Sequence, residues 1–313
     1  MNVTTPQWDQ FVPGVWTTEV DVRDFIQKNY TPYTGDDSFL AQATSRTTAL
    51  WEEVCKLTKE ETKKGILDVE TKIPASVISH GPGYINKELE TIVGLQTDAP
   101  LKRGIMPKGG IRVIQNAMKT FNYELDPQVA ETYTNHRKTH NDGVFDVYTD
   151  DMRAARKTGI ITGLPDAYGR GRIIGDYRRV ALYGVDFLIE VKKQEVKQED
   201  TPVLSDESIR LREELAEQIR ALADLKTMAQ SYGFDISGPA KNAQEAIQWT
   251  YFAYLASTKQ QDGAATSLGR VATFLDIYIE RDLKAGVITE EEVQELMDHF
   301  AMKLRMVRFL RTP

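Results

Sequence analysis

One cysteine, Cys55, occurs in 313 residues. No disulfide can close within the chain, and no cysteine-based metal cluster can form. A cytoplasmic protein is the expectation that follows. Cys55 lies in the amphipathic run Leu50-Trp-Glu-Glu-Val-Cys-Lys-Leu57, where it reads as a small thiol packing a helix rather than a reactive group. Long apolar runs are also missing. None approaches the roughly 20 residues that cross a bilayer, so no membrane span is expected. Met1 to Val20 carries Asp9 and Glu19 and lacks a basic start followed by an apolar stretch, so no secretory signal is expected. Positive charge is in deficit: 39 Lys and Arg stand against 46 Asp and Glu, a net charge of -7. That balance argues against nucleic acid as the main partner.

What is present is a helical pattern on a hydrophobic fraction of 41%, enough for one large core or two. Asn242 precedes Glu245 by three residues, ahead of the apolar run Ala246, Ile247, Trp249 and Tyr251 to Leu255; this is a capping signature. Thr289 and Glu292 repeat it before Val293, Leu296, Met297, Phe300 and Leu304, which share one helix face. Asp126-Pro127 reads as a cap and first helical residue. Ile209, Leu215, Ile219, Leu222 and Leu225 form a stripe that Gly233 closes. Ile173 to Val191 is predicted as one long helix. Ser76–Ser79, Ile92–Leu95 and Gly159–Thr162 are the strand candidates. Lys192 to Asp206, polar and containing Pro202, is predicted as a surface loop. No repeat or low-complexity tract is found. The apolar pattern Met302, Leu304, Met306, Val307, Phe309, Leu310 runs almost to Pro313, where chain ends are usually polar. The expectation is a truncated chain, or a last helix docked on something else.

The densest chemistry lies in Leu164-Pro-Asp-Ala-Tyr-Gly-Arg-Gly-Arg-Ile-Ile-Gly-Asp-Tyr-Arg-Arg179. Glycines permit close backbone approach, and guanidiniums grip carboxylate or phosphate in two-pronged geometry. The spacing of Gly169, Gly171 and Gly175 is wrong for a dinucleotide fingerprint, and no strand precedes it. Two readings stay open: a small-anion site, or arginines paired with acidic neighbours. His136 and His140 share a face if Pro127 to His140 is helical, but a metal pair needs further ligands, and they read as surface residues. His80 precedes Gly81-Pro-Gly83 in a turn, where it either orients a ligand or is merely solvated. Asp262-Gly-Ala-Ala-Thr-Ser-Leu-Gly-Arg270 breaks the preceding helix, and its small residues allow close approach or tight packing. No nucleophile–base set and no paired-carboxylate motif stands out.

These stretches, with others, carry a resemblance along the whole chain. Val22-Arg-Asp-Phe-Ile-Gln-Lys-Asn-Tyr-Thr-Pro-Tyr33, Gly83-Tyr-Ile-Asn-Lys87, Val93-Gly-Leu-Gln-Thr97, Gly143-Val-Phe-Asp-Val-Tyr-Thr149, Gly163 to Leu182, Asp235-Ile-Ser-Gly-Pro-Ala240, Ala243 to Phe252 and Met302 to Pro313 resemble pyruvate formate-lyase, a glycyl radical enzyme family. The resemblance implies a helix-rich α/β fold: part of a ten-stranded α/β barrel, with residues 1–313 as one incomplete N-terminal domain. It implies conversion of pyruvate and coenzyme A to acetyl-CoA and formate in fermentative metabolism. The family enzyme works as a homodimer, after an iron–sulfur, S-adenosylmethionine-dependent activating enzyme has installed its glycyl radical. The resemblance also places Arg172 on the pyruvate carboxylate and Ala264 beside the pyruvate. It places His80, Phe145, Arg156 and Lys157 along the coenzyme A surface. The family's cysteine pair and radical glycine have no counterpart in this sequence, so no catalytic residue, bound metal or directly bound cofactor is expected, and the chain is expected to be inactive alone. A non-catalytic scaffold pairing with a catalytic half, or a 2-ketobutyrate-preferring relative, are the alternatives.

Overall fold

The computed structural model describes residues 8, 10–105, 111–136, 148–161, 175–198, 205–260, 267–308 and 310. Helices dominate: α1 Val22–Asn29, α2 Ser45–Lys64, α3 Ile111–Thr120, α4 Pro127–Glu131, α5 Asp150–Lys157, α6 Arg178–Tyr183, α7 Val185–Gln198, α8 Asp206–Ser231, α9 Ala243–Gln260, α10 Ala272–Lys284 and α11 Glu290–Met306. Two strands, β1 Asp68–Pro74 and β2 Lys102–Ile105, pair in parallel with Asp68 opposite Lys102 and a bulge before Pro74. This is the helix-rich α/β class expected from the sequence.

The helix starts follow the sequence signals. Thr289 and Glu292 close a reciprocal capping box on α11. The Glu245 amide donates to the Asn242 side chain at 2.8 Å, and Asp126 caps α4 with Pro127 in the first turn. Gly233 follows α8 at φ +89°, a backbone that glycine adopts without strain.

α9 is the central helix. Thirteen of its eighteen residues are buried, which removes any polar face and makes it a core element. Around it lie α6, α8, α10 and α11, with Trp16 and Phe25 from the N-terminal region. A second cluster joins Ile105 of β2 to Ile114 and Met118 of α3.

Several expectations need correction. Ile173 to Val191 is not one helix: α6 ends at Gly184, with φ +75°, and α7 starts afresh, while residues 173 and 174 lie outside the described residues. The break lets the 236–240 segment cross. The Val185 amide donates to Ile236 O at 2.9 Å, and the Ala240 amide to Ala181 O at 2.8 Å. Lys192 to Asp206 is not a loop throughout. α7 continues to Gln198 and Ser205 caps α8, because Lys, Gln and Glu are good helix formers and Lys192 pairs with Glu195 one turn on. Residues 199–204 lie outside the described residues.

None of the strand candidates forms a ladder. Ser76–Ser79 closes on itself as a turn: the Ser76 amide donates to Ser79 Oγ, which donates back to Ser76 O. Gly159–Ile161 folds back onto α5, with the amides of Ile160 and Ile161 donating to Ala155 O; Thr162 lies outside the described residues. Ile92–Leu95 is buried, but its backbone bonds go to side chains.

Candidate functional site

Ile92–Leu95 runs beside α9 in the same direction. The Val93 amide donates to Gln248 Oε1 at 2.8 Å, and Gln248 Nε2 donates to Val93 O at 2.9 Å. The Tyr251 hydroxyl donates to Gly94 O at 2.9 Å. Gly94 adopts φ +124°, and a Cβ there would stand 2.9 Å from Leu255. Only glycine meets both demands. Gln96 follows, with both amide atoms buried and, among the described residues, without hydrogen-bond partners. It lies against β2, where a Cβ at Gly104 would come within 3.1 Å of its Nε2.

The His80 turn is docked on this segment. Gly83 packs directly on the carbonyl of Thr97 and on Asp98. The amides of Gly83 and Leu95 both donate to the Tyr232 hydroxyl oxygen, at 3.0 and 3.2 Å. One phenol thus fixes the turn and the 92–95 segment together. His80 is buried, and among the described residues its Nε2 has no hydrogen-bond partner. Burial pushes its imidazole below the ordinary histidine range, Lys259 adds to that, and Asp98 and Glu70 oppose it. The ring is therefore neutral at pH 7.

Lys259, in the last turn of α9, is 1% exposed. Burial pulls its ammonium down to about 8. Among the described residues it forms no hydrogen bond or ion pair. The carboxylates that face His80 are engaged elsewhere: Lys102 Nζ holds Glu70 at 2.9 Å and Asp98 at 3.0 Å.

The arginine–glycine stretch is described only from Gly175. There, Asp176 pairs with Arg178 at 2.7 Å and with Arg179 at 3.6 Å. Arg178 also donates to Arg270 O at 3.2 Å. This ties the start of α6 to the residue that ends the Asp262–Arg270 segment. Tyr177 stands edge-on to Tyr254 of α9, with ring centroids 5.6 Å apart. These two arginines are paired with their neighbours; Arg170 and Arg172 lie outside the described residues.

Of the six ligand residues expected from the sequence, Arg172, Ala264 and Phe145 lie outside the described residues. His80 is placed in a docked turn rather than a solvated one. Arg156 and Lys157 occupy the last turn of α5, half-buried and exposed, on a helix that buries no side chain. No described contact joins them to His80. Cys55 is half-buried on α2. His136 ends a π-helical turn, Thr132–His136, and His140 lies outside the described residues.

Lys259, Gln96 and Tyr232 escaped the sequence reading. For Lys259 a signal existed: a lysine at the end of a helix that is apolar on every side, directly before a small-residue segment. A separate cleft of about 300 Å3 is lined by Arg46, Thr91, Gln244, Asp282, Glu292 and Glu295 among others. Its carboxylates are committed, Glu295 to Thr44 and Arg46, Asp282 to the Ala243 amide, and Glu292 to Thr289. No helix among the described residues is long and apolar enough to cross a membrane.

A family model described as pyruvate formate lyase-like matches residues 12–313. The chain is 63% identical over 311 residues to formate acetyltransferase of Haemophilus influenzae, covering 98% of this chain and 40% of that protein. It is 61% identical to formate acetyltransferase 1 of Escherichia coli, covering 98% of this chain and 41% of that protein. The chain thus spans about two fifths of the length of these relatives. At the level of fold it is similar to the B12-independent glycerol dehydratase of Clostridium butyricum in its glycerol-bound form, with TM-score 0.55, 18% identity, and 90% of this chain and 41% of that one covered. A similar likeness, TM-score 0.56 at 20% identity over 87% of this chain and 38% of the other, holds to the Roseburia inulinivorans structure that addresses 1,2-propanediol dehydration. With the family model covering nearly all of its length, the chain belongs to the pyruvate formate lyase-like family.

Proposed function

We propose that these 313 residues serve the formate acetyltransferase reaction, in which pyruvate and coenzyme A give acetyl-CoA and formate, and that they contribute substrate binding rather than bond cleavage. The observation that carries this reading is the 63% identity, over 311 residues, to a formate acetyltransferase. Arg172 takes the pyruvate carboxylate, and Ala264 packs beside the substrate. A charge-assisted bond from Arg172 contributes about 1.5–3 kcal/mol. His80, Phe145, Arg156 and Lys157 line the coenzyme A surface, with an aromatic face for adenine and cations for phosphates. The tethering of Arg178 to Arg270 supports the reading, because it fixes the base of the segment that carries Arg172 to the base of the one that carries Ala264.

The radical steps belong to groups that this sequence does not contain, since Cys55 has no cysteine neighbour. The activating enzyme, a homodimeric assembly and a cytoplasmic setting complete the reading. The test is pyruvate–formate exchange after anaerobic activation, with the chain alone and with a chain bearing the cysteine pair and radical glycine. Exchange by this chain alone sinks the division of labour. A second reading, a scaffold that pairs with a separate catalytic chain, is favoured by the single cysteine; co-purification of the two chains without any pyruvate binding here would select it.

A further inference from the structure

Two consecutive residues, Glu90 and Thr91, are fastened to one face of α11. Lys303 holds Glu90, and His299, one turn earlier, holds Thr91. The Thr91 amide donates to His299 Nδ1 at 3.1 Å, and the Thr91 hydroxyl stands 2.8 Å from the same nitrogen. An amide can only donate, so Nδ1 is the acceptor and the neutral ring carries its proton on Nε2. His299 is fully buried, and among the described residues its Nε2 finds no partner. The charges around the ring come from three elements. On α11, Glu295 and Asp298 favour an imidazolium and Lys303 opposes it, as does Arg46 of α2. Glu90, on the 85–91 loop, is held by Lys303. The other carboxylates are engaged too, Glu295 with Thr44 and Arg46, and Asp298 with Gln294. Burial, the largest effect, holds the ring below the ordinary histidine range. Thr91 leads directly into Ile92–Leu95, which Gln248 and Tyr251 clamp onto α9. The cleft of about 300 Å3 is lined by Thr91, Arg46 and Glu295, so water reaches the Thr91 side of the contact.

We propose that the contact of His299 with Thr91 is an acid-sensitive latch that seats the start of the 92–95 segment on α11. The latch closes only while Nδ1 carries no proton. A proton arriving at Nδ1 turns the acceptor into a donor. The Thr91 hydroxyl can accept from it, but the Thr91 amide then faces another N–H and loses its bond. A buried cation also stands there without a carboxylate of its own. Opening to water relieves both. In the open form the imidazole titrates at its ordinary value of about 6.5, and in the closed form below it. The open form therefore binds the proton better and gains population as pH falls. Leu95, at the far end of the segment, shares the Tyr232 hydroxyl with Gly83, so the latch steadies the His80 turn from one side. The device depends on the fold alone and stands whatever reaction the chain serves.

The test is hydrogen exchange at the Thr91 amide of the whole 313-residue chain between pH 7.5 and 5.5, corrected for the intrinsic rate at each pH. Protection at Thr91 falls by up to about tenfold per pH unit once pH drops below the ordinary histidine value. It falls less at the Val93 amide, which the uncharged Gln248 holds. Nitrogen NMR of the His299 ring shows the Nε2-protonated tautomer at pH 7.5, and the ring titrates with the loss of Thr91 protection. His299→Asn places a carbonyl oxygen where Nδ1 stood; it keeps the bond at pH 7.5 and abolishes the pH dependence. That variant leaves His80 in place, so a fall that persists in it belongs to another group and overturns the proposal. Protection that stays level across the range in the parent overturns it too, as does a ring protonated on Nδ1 at pH 7.5. Should His299→Asn not fold, these two measurements on the parent decide the matter alone.

Discussion

Lys303 of α11 donates to Glu90 with both side chains entirely out of water. Glu90 also accepts from the amides of Ile85 and Asn86, so the pair fastens the 85–90 loop onto the last helix. Removing one partner of a buried pair strands the other charge and costs about 3–5 kcal/mol. Lys303→Met should lose that much in urea unfolding. The double variant Lys303→Met with Glu90→Gln should recover much of the loss, because the stranded charge is gone. Equal stability of Lys303→Met and the parent contradicts the role of the pair.

Lys259 and Lys303 both sit near 8 when folded, each pulled down first by burial, against about 10.4 in an unfolded chain. Between these values the unfolded state binds more protons than the folded one, so stability rises with pH. The slope is up to about 1.4 kcal/mol per pH unit for each group. The window is pH 8 to 10. Above it, tyrosines such as Tyr183, pushed up to about 12 by burial, stay protonated only when folded and turn the slope downward. Urea midpoints at pH 7.5, 8.5 and 9.5 should climb in the parent and climb less in Lys259→Met. Parallel curves refute the assignment of Lys259.

The Tyr232 hydroxyl accepts two buried amides, those of Gly83 and Leu95. Tyr232→Phe leaves both without a partner at about 1–3 kcal/mol each. Hydrogen exchange at these two amides should speed up by more than elsewhere in the chain. Uniform acceleration would mean that the hydroxyl does not hold the His80 turn.

Gly184 divides α6 from α7 at φ +75°, and a Cβ there would meet Ser237 O at 2.5 Å. Gly184→Ala therefore carries backbone strain of about 1–3 kcal/mol before any clash is counted. A lowered melting temperature is expected, with slower recovery after dilution from urea as a further sign that the 236–240 crossing is disturbed. An alanine variant that melts with the parent contradicts the crossing geometry.

The helix caps were legible because each is a local device: Thr289 with Glu292, Asn242 with Glu245, and Asp126 with Pro127. The strands were not. β1, Asp-Val-Glu-Thr-Lys-Ile-Pro, is polar at most positions and pairs with a strand 34 residues ahead in register, so no local pattern announces it. Ile92–Leu95 was read as a strand for its apolar run; the run is buried as expected, but Gln248, Tyr251 and Tyr232 satisfy its backbone in place of a ladder. Periodicity over Ile173–Val191 hid a glycine break that only the crossing segment explains. Around His80 the turn was legible in Gly81-Pro-Gly83, whereas the burial of Lys259 was not, because it depends on what packs around the end of α9.

The direct test of the central claim, that these residues hold the substrate carboxylate without cleaving it, is saturation-transfer difference NMR of pyruvate with the 313-residue chain and its Arg172→Lys variant. An ammonium cannot reproduce the planar fork of a guanidinium. The account predicts a clear pyruvate signal in the parent and a much weaker one in Arg172→Lys, with unchanged pyruvate throughout the experiment. Equal signals in the two proteins, or loss of pyruvate with appearance of formate, would contradict it.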